Sequence, residues 1–225
     1  MLTQDLAESL SAKLKISVEQ VVREELELSL LKSLFESGIS HALVFKGGTA
    51  LRLAYGSPRF SDDLDFSAGE TISEASFKAA AEAALQSLPE AVLIEALAKY
   101  STLFALYRFD IPYIGRPFSI KIEVSTRMES RRAAGESELR LLASEVTNLT
   151  VLARVVTLEQ AVKDKQAAFA ARRQPRDLFD LWFLSQKLGR PFRADFAGLD
   201  PRIVQRELRK YLPKTYWSVI DQWAE

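Results

Sequence analysis

The sequence contains no cysteine, and that absence removes disulfides, thiolate zinc sites and cysteine nucleophiles together. Histidine occurs once, at His41, which rules out a histidine-rich metal centre and any acid–base pair of imidazoles. No apolar run approaches the roughly 18 residues needed to span a bilayer, and the N-terminus lacks the apolar core of a signal peptide. The expectation is a cytoplasmic protein that does not engage a membrane. Net charge is missing too. Thirty basic residues balance thirty acidic ones, so bulk charge draws the chain toward neither nucleic acid nor membrane. Chemistry must therefore come from carboxylates, lysine, arginine and hydroxyls.

What is present is enough apolar material for one sizeable core or two small lobes sharing a cleft: 225 residues, 48% hydrophobic. Residues 1–30 hold six acids and three bases, whereas 157–225 hold nine acids and thirteen bases, so a phosphate-bearing partner would prefer the C-terminal side. From Ser17, the spacing of Val18, Val21, Val22, Leu26, Leu30 and Leu34 predicts a helix with Ser17 and Gln20 as a capping box and Gly38 as its stop. Ala42–Phe45 has the composition of a buried strand and runs into Lys46-Gly47-Gly48-Thr49 and a short helix over Ala50–Tyr55. A second strand is expected over Leu64–Ser67 and an alanine-rich helix over Ser73–Leu88. Antiparallel strands follow over Ala91–Tyr100, Leu103–Pro112 and Pro117–Ser125. Residues 127–140 are charged and read as a loop or frayed helix, and Val151–Val156 as a last strand. Beyond Thr157 the chain reads as helical, with helix starts at Thr157, Pro175 and Asp200-Pro201. The fold class is α+β: a mixed sheet with flanking helices. The organisation is an N-terminal helical arm (1–39), an α/β core (40–156) and a C-terminal helical module (157–225) that completes a cleft.

The informative segment is Lys46-Gly47-Gly48-Thr49 followed by Arg59-Phe60-Ser61-Asp62-Asp63-Leu64-Asp65-Phe66. Two glycines between a strand and a helix permit close backbone approach and leave free amides at a helix N-terminus, which is an anion site. The same dipeptide also makes an ordinary tight turn. Alternation on a strand puts Asp63 and Asp65 on one face and Leu64 and Phe66 on the other. Neighbouring carboxylates repel unless a cation lies between them. Hard oxygen ligands suit Mg²⁺, with Mn²⁺ an alternative, the remaining ligands being water and substrate phosphate. Asp62 should point away from this pair or precede the strand. Glu123 shares a strand face with Lys121 and stands open between two roles: a third metal carboxylate, or half of a cross-strand ion pair.

Lys165 lies in the apolar stripe of the helix after Thr157, with Leu158, Ala161, Val162, Ala168 and Phe169. A buried ammonium needs a partner, and two roles are open to it: snorkelling to water, or reaching into a cleft to meet a triphosphate. Asp180 either pairs with Arg176 one turn earlier or orients Lys165 from the next helix. Arg172, Arg173 and Arg176 either bind phosphate or form a solvated turn.

Together, Lys46-Gly47-Gly48-Thr49-Ala50-Leu51-Arg52, Arg59-x-Ser61-x-Asp63-Leu64-Asp65-Phe66, and Lys165 followed by Arg176-Asp177-Leu178-Phe179-Asp180-Leu181 resemble the AbiEii/AbiGii-type nucleotidyltransferase toxins, a branch of the DNA-polymerase-β-like nucleotidyltransferases. The resemblance spans about residues 40–190. It implies a nucleotidyltransferase-like sheet and transfer of a nucleotide from a nucleoside triphosphate to an acceptor hydroxyl. Asp63 and Asp65 would hold Mg²⁺, and Ser61 and the Gly47–Thr49 turn would lie near the triphosphate. Lys165 and Asp180 would belong to the active-site set. Apart from the resemblance, Lys165 and Arg59 are candidates to neutralise charge on the phosphates, and Lys46 is a candidate nucleotide-binding residue. The resemblance further implies a cognate antitoxin, a role in phage defence, and tRNA as one acceptor. Transfer to a protein hydroxyl, or nucleotide binding without transfer, are the alternative activities.

Overall fold

Alternating burial sets the strands. In the computed structural model, which describes residues 1–193, 196 and 198–224, seven of them are β1 (Leu43–Lys46), β2 (Asp63–Ala68), β3 (Ala91–Lys99), β4 (Thr102–Phe109), β5 (Phe118–Ser125), β6 (Ser137–Ser144) and β7 (Thr147–Val156). They form one mixed sheet in the order β3-β4-β5-β2-β1-β7-β6. The β2–β5 and β1–β7 pairs are parallel, and the other four are antiparallel. Leu64 and Phe66 of β2, Ile120, Ile122 and Val124 of β5, and Leu103, Ala105 and Tyr107 of β4 are all buried on one face. Helices α1 (Gln4–Leu14), α2 (Val18–Phe35) and α4 (Glu74–Ala84) belong to the same core, and the Tyr107 hydroxyl donates to the Ala81 carbonyl of α4 at 2.8 Å.

Helix α2 begins where the capping serine predicts: the Ser17 hydroxyl accepts from the Gln20 amide at 3.3 Å. It is buried on nearly every side, so its charges need partners. Arg23 donates to the Ser119 carbonyl at 2.7 Å and stacks on Phe118, and Glu24 accepts from Arg52 and Ser144. Helix α3 spans Gly47–Tyr55, beginning at the first glycine instead of Ala50. The C-terminal part contributes α6 (Leu158–Arg172), α7 (Pro175–Lys187), α8 (Pro201–Leu208) and α9 (Trp217–Asp221), with caps at Thr157 and Asp200 and proline opening α7 and α8. The helical reading beyond Thr157 also covers residues 194, 195, 197 and 225, which lie outside the described residues.

One strand differs from expectation. The charged stretch 127–140 divides into α5 (Met128–Ala134) and the start of β6. Here the usual alternation is inverted. Leu139 and Leu141 face solvent at 61% and 60% exposure, while Glu138 accepts from the Tyr55 hydroxyl at 2.9 Å and Arg140 lies over that ring. An edge strand with two leucines outside and a half-exposed ion pair on its other face gives no buried-strand signal. No described helix is long and apolar enough to cross a membrane.

Candidate active site

The site begins where β1 ends. Gly47 has φ +85°, a conformation that glycine adopts without strain, and a Cβ there would sit 2.6 Å from Asp65 Oδ2. A Cβ on Gly48 would overlap the Arg59 guanidinium and lie 2.8 Å from Ser61 Oγ. Both glycines are thus required by what packs on them. The absent side chains bring Asp65 and Ser61 against the first turn of α3, whose leading amides have no intrahelical acceptor and no side-chain cap. Thr49 is buried, and its hydroxyl donates to the Asp63 carbonyl at 2.6 Å, tying the helix start to β2.

Strand register then collects the charges. Antiparallel pairing places Lys46 opposite Asp65, while parallel pairing places Asp63 opposite Lys121 and Asp65 opposite Glu123. Lys121 Nζ lies 3.4 Å from Asp63 Oδ2 and 3.2 Å from Glu123 Oε2. Burial, and next the Asp63 charge, push the Asp65 carboxyl above the usual carboxylate range. Burial disfavours the Lys121 ammonium, but Asp63 and Glu123 outweigh it and raise that group above its ordinary value. Asp62 precedes β2 and turns away, accepting from Gln20 Nε2 at 3.2 Å with Arg23 Nε at 3.5 Å.

The C-terminal helices supply the other wall. Lys165 of α6 does not snorkel to water; its Nζ lies 2.6 Å from Asp180 Oδ2 and 3.3 Å from Asp177 Oδ1, both carboxylates on α7 and fully buried. Asp180 also accepts two 2.8 Å bonds from Arg59, so the Arg176 pairing is not what engages it. Although burial opposes ionisation, Arg59 and Lys165 hold the Asp180 carboxyl below the usual range. Arg59, expected among the phosphates, is 1% exposed, and its third bond goes to the Phe60 carbonyl at 2.9 Å. Its place is under the glycine turn, because Asp180 takes the Nε and Nη2 edge of its guanidinium. Arg172 makes two 2.7 Å bonds to Asp177.

A cavity of about 230 Å³ opens between these parts, lined by Lys46, Gly47, Leu51, Asp65, Val156, Ala161, Asp164, Lys165, Ala168 and Arg172. It therefore joins the glycine turn, one aspartate of the pair and two cations of α6. A larger cleft of about 670 Å³ lies at the other end of α3, beside Arg52, Gly56 and Pro58. Its acids are already paired, Glu24 with Arg52 and Glu145 with Lys13. Asp177 and Lys121 are the site residues that the sequence reading passed over. Asp177 stands three positions before Asp180, on the same helical face, and that spacing is its only local signal.

The acid pair fits a divalent ion. Two carboxylates share a strand face, and burial followed by the Asp63 charge makes ionisation of Asp65 costly, a cost that a bound cation would offset. No three His, Cys, Asp or Glu side chains among the described residues converge into a ready-made cage. An ion that keeps its waters and takes substrate phosphates as ligands needs no such cage. Glu123 contributes a charge at the edge and is engaged by Lys121.

The family described as nucleotidyl transferase AbiEii toxin, type IV toxin–antitoxin system, matches residues 29–218. The chain belongs to this family. The AbiEii match includes the glycine turn, the aspartate pair, Glu123, Lys165, Asp177 and Asp180. Among solved structures, the chain is 25% identical to JHP933 from Helicobacter pylori, with a TM-score of 0.58 and coverage of 86% of this chain and 78% of that one. A second H. pylori protein, provisionally assigned as a nucleotidyltransferase, is 23% identical with a TM-score of 0.60, covering 93% of each chain. MenT4, the nucleotidyltransferase toxin Rv2826c from Mycobacterium tuberculosis H37Rv, is 22% identical with a TM-score of 0.59, covering 92% of this chain and 68% of that one. These likenesses show a fold shared with nucleotidyltransferase structures. No functionally curated protein matches the chain.

Proposed function

We propose that this AbiEii-family toxin is a Mg²⁺-dependent nucleotidyltransferase, with Mn²⁺ able to substitute, that moves a nucleoside monophosphate from a triphosphate to an acceptor hydroxyl and releases pyrophosphate. The observation that carries the reading is the cleft that Asp65 shares with the open end of α3 and Lys165, with Asp63 two residues before Asp65 on the same strand face. Asp63 and Asp65 would hold the ion, which when bound supplies Lewis-acid polarisation of the α-phosphoryl group and lowers the pKa of the acceptor hydroxyl. The amides at Gly47–Thr49 and the Ser61 hydroxyl cradle the triphosphate. Lys46, Lys165 and Arg172 set positive charge at the cavity wall, where negative charge accumulates on the leaving pyrophosphate. The acceptor oxygen forms the new bond to the α-phosphorus as the bond from that phosphorus to the pyrophosphate oxygen breaks, and its proton passes to a carboxylate oxygen at the Asp63–Glu123 edge.

The acceptor we propose is the 3′ end of tRNA, as the family resemblance implies, with the toxin acting in the cytoplasm under an antitoxin in a defence against phage. The test incubates purified protein with each labelled nucleoside triphosphate, Mg²⁺ and total RNA. Label should enter a tRNA-sized band, and Asp63→Ala should lose it with the melting transition retained. Unchanged labelling by Asp63→Ala would remove the aspartate pair from the mechanism. Label that follows polypeptide would replace tRNA by a protein acceptor.

A further inference from the structure

The face that carries the aspartate pair holds one cation that the transfer reaction does not call for. Lys121 is the strand partner of Asp63 and stands two residues before Glu123 on the same face of β5. Its Nζ bridges Asp63 Oδ2 and Glu123 Oε2 at 3.4 and 3.2 Å. Lys165 cannot play this part, because Asp177 and Asp180 already engage its ammonium. Asp63, Asp65 and Glu123 bring three negative charges, set against Lys46 opposite Asp65 and Lys121 opposite Asp63. A divalent ion that uses Asp63 fully must share or displace Lys121.

We propose that Lys121 is a built-in competitor for the divalent ion, weakening metal binding to the free enzyme so that metal is retained chiefly together with the nucleotide. The proposal rests on the Asp63–Asp65 pair being the metal site. Charge and reach support it. An ammonium beside a carboxylate occupies one of its oxygens and repels an incoming cation, and at partly exposed positions such a charge changes ion affinity by about tenfold. The lysine side chain is 32% exposed, so it has room to swing toward solvent when an ion arrives. A triphosphate brings four negative charges at neutral pH and supplies ligands the protein lacks, which favours the ion over the lysine. The consequence is an apo-enzyme that does not hold a reactive metal site open without substrate.

The test titrates Mn²⁺ into the full chain and follows free Mn²⁺ by electron paramagnetic resonance, with and without a triphosphate analogue that cannot be cleaved. Lys121→Met, which keeps the length and loses the charge, should bind Mn²⁺ about tenfold more tightly than wild type without nucleotide. The gain in affinity on adding the analogue should shrink by a similar factor. Lys121→Arg keeps the charge and should behave as wild type; Lys121→Gln serves if the methionine variant does not fold. Equal or weaker Mn²⁺ binding by the neutral variants overturns the proposal. Asp63→Asn separates this failure from that of the site itself: Mn²⁺ binding unaffected by Asp63→Asn would mean the ion binds elsewhere, and both readings would fall.

Discussion

Replacing Asp180 by asparagine perturbs a carboxylate that holds two cations. Its carboxylate is fully buried, accepts two 2.8 Å bonds from Arg59 and meets Lys165 Nζ at 2.6 Å. Asparagine keeps one acceptor oxygen but removes the charge that compensates a guanidinium only 1% exposed. Lys165 retains Asp177 at 3.3 Å, so most of the loss falls on Arg59. Breaking one partner of a buried ion pair costs about 3–5 kcal/mol, and the surviving amide bond puts the expectation near the lower end, about 3 kcal/mol. That is a large part of the roughly 5–15 kcal/mol that a domain possesses. Urea unfolding followed by tryptophan fluorescence would measure it, Trp182 lying on the same helix as Asp180. The double variant Arg59→Met/Asp180→Leu removes both charges and should be more stable than Asp180→Asn by at least about 1 kcal/mol. The pH dependence has a definite sign. The folded carboxyl titrates below its unfolded value, so its contribution is complete above about pH 4 and lost as pH falls through the folded value. The asparagine variant should lack that part of the acid limb. A loss below about 1 kcal/mol at neutral pH would refute the claim that Asp180 compensates two buried cations.

Gly48→Ala should destabilise the protein by about 1–3 kcal/mol and reduce transfer at least tenfold, because its Cβ must displace the Arg59 guanidinium and Ser61 Oγ; equal denaturation midpoints for variant and wild type would contradict this packing. Asp65→Asn should abolish transfer and yet stabilise the metal-free protein by roughly 0.5–1 kcal/mol at pH 7, since it removes a carboxylate held beside another. The folded Asp65 titrates above its unfolded value, so its penalty grows from about pH 4 upward through the folded value and persists beyond it. Thermal melts in chelator at pH 4 and pH 7 should therefore show the larger benefit at pH 7, and a larger benefit at pH 4 would reverse the assignment. Arg172→Gln removes half of the Asp177 grip and a cation of the cavity wall. It should raise the KM for triphosphate several-fold, as initial rates over a nucleotide series would show.

Local pattern made part of this protein legible. Alternation alone places Asp63 and Asp65 on one face, and the capping residues Ser17, Thr157 and Asp200 mark helix starts that the structure shows at Val18, Leu158 and Pro201. What escaped depends on pairing between distant segments. Lys121 looks like an ordinary polar strand residue until parallel register sets it opposite Asp63. Arg59 belongs by sequence to the motif around Ser61, and only the packing of α7 shows that Asp180, 121 residues away, takes its guanidinium. Strand β6 escaped for another reason: Leu139 and Leu141 face out while Glu138 and Arg140 face Tyr55, so over that stretch burial and hydrophobicity point in opposite directions.

The buried ions bear on how the cleft is held, because their partners come from three separate segments. Arg59 leads from the end of α3 into β2, Lys165 belongs to α6, and Asp177 and Asp180 belong to α7. Apolar contacts between α6 and α7 could be satisfied at several small offsets, since they are non-directional. A guanidinium clasped by two 2.8 Å bonds accepts far less freedom, and it lies directly behind Gly48. The same carboxylate fixes the Lys165 ammonium, so the distance from that cation to the open end of α3 is set through one shared residue. Stability alone would be served equally well by apolar side chains at these positions. A fixed spacing between a phosphate-binding turn and a cation on another helix is what the ions add, and that spacing matters for in-line transfer at the α-phosphorus.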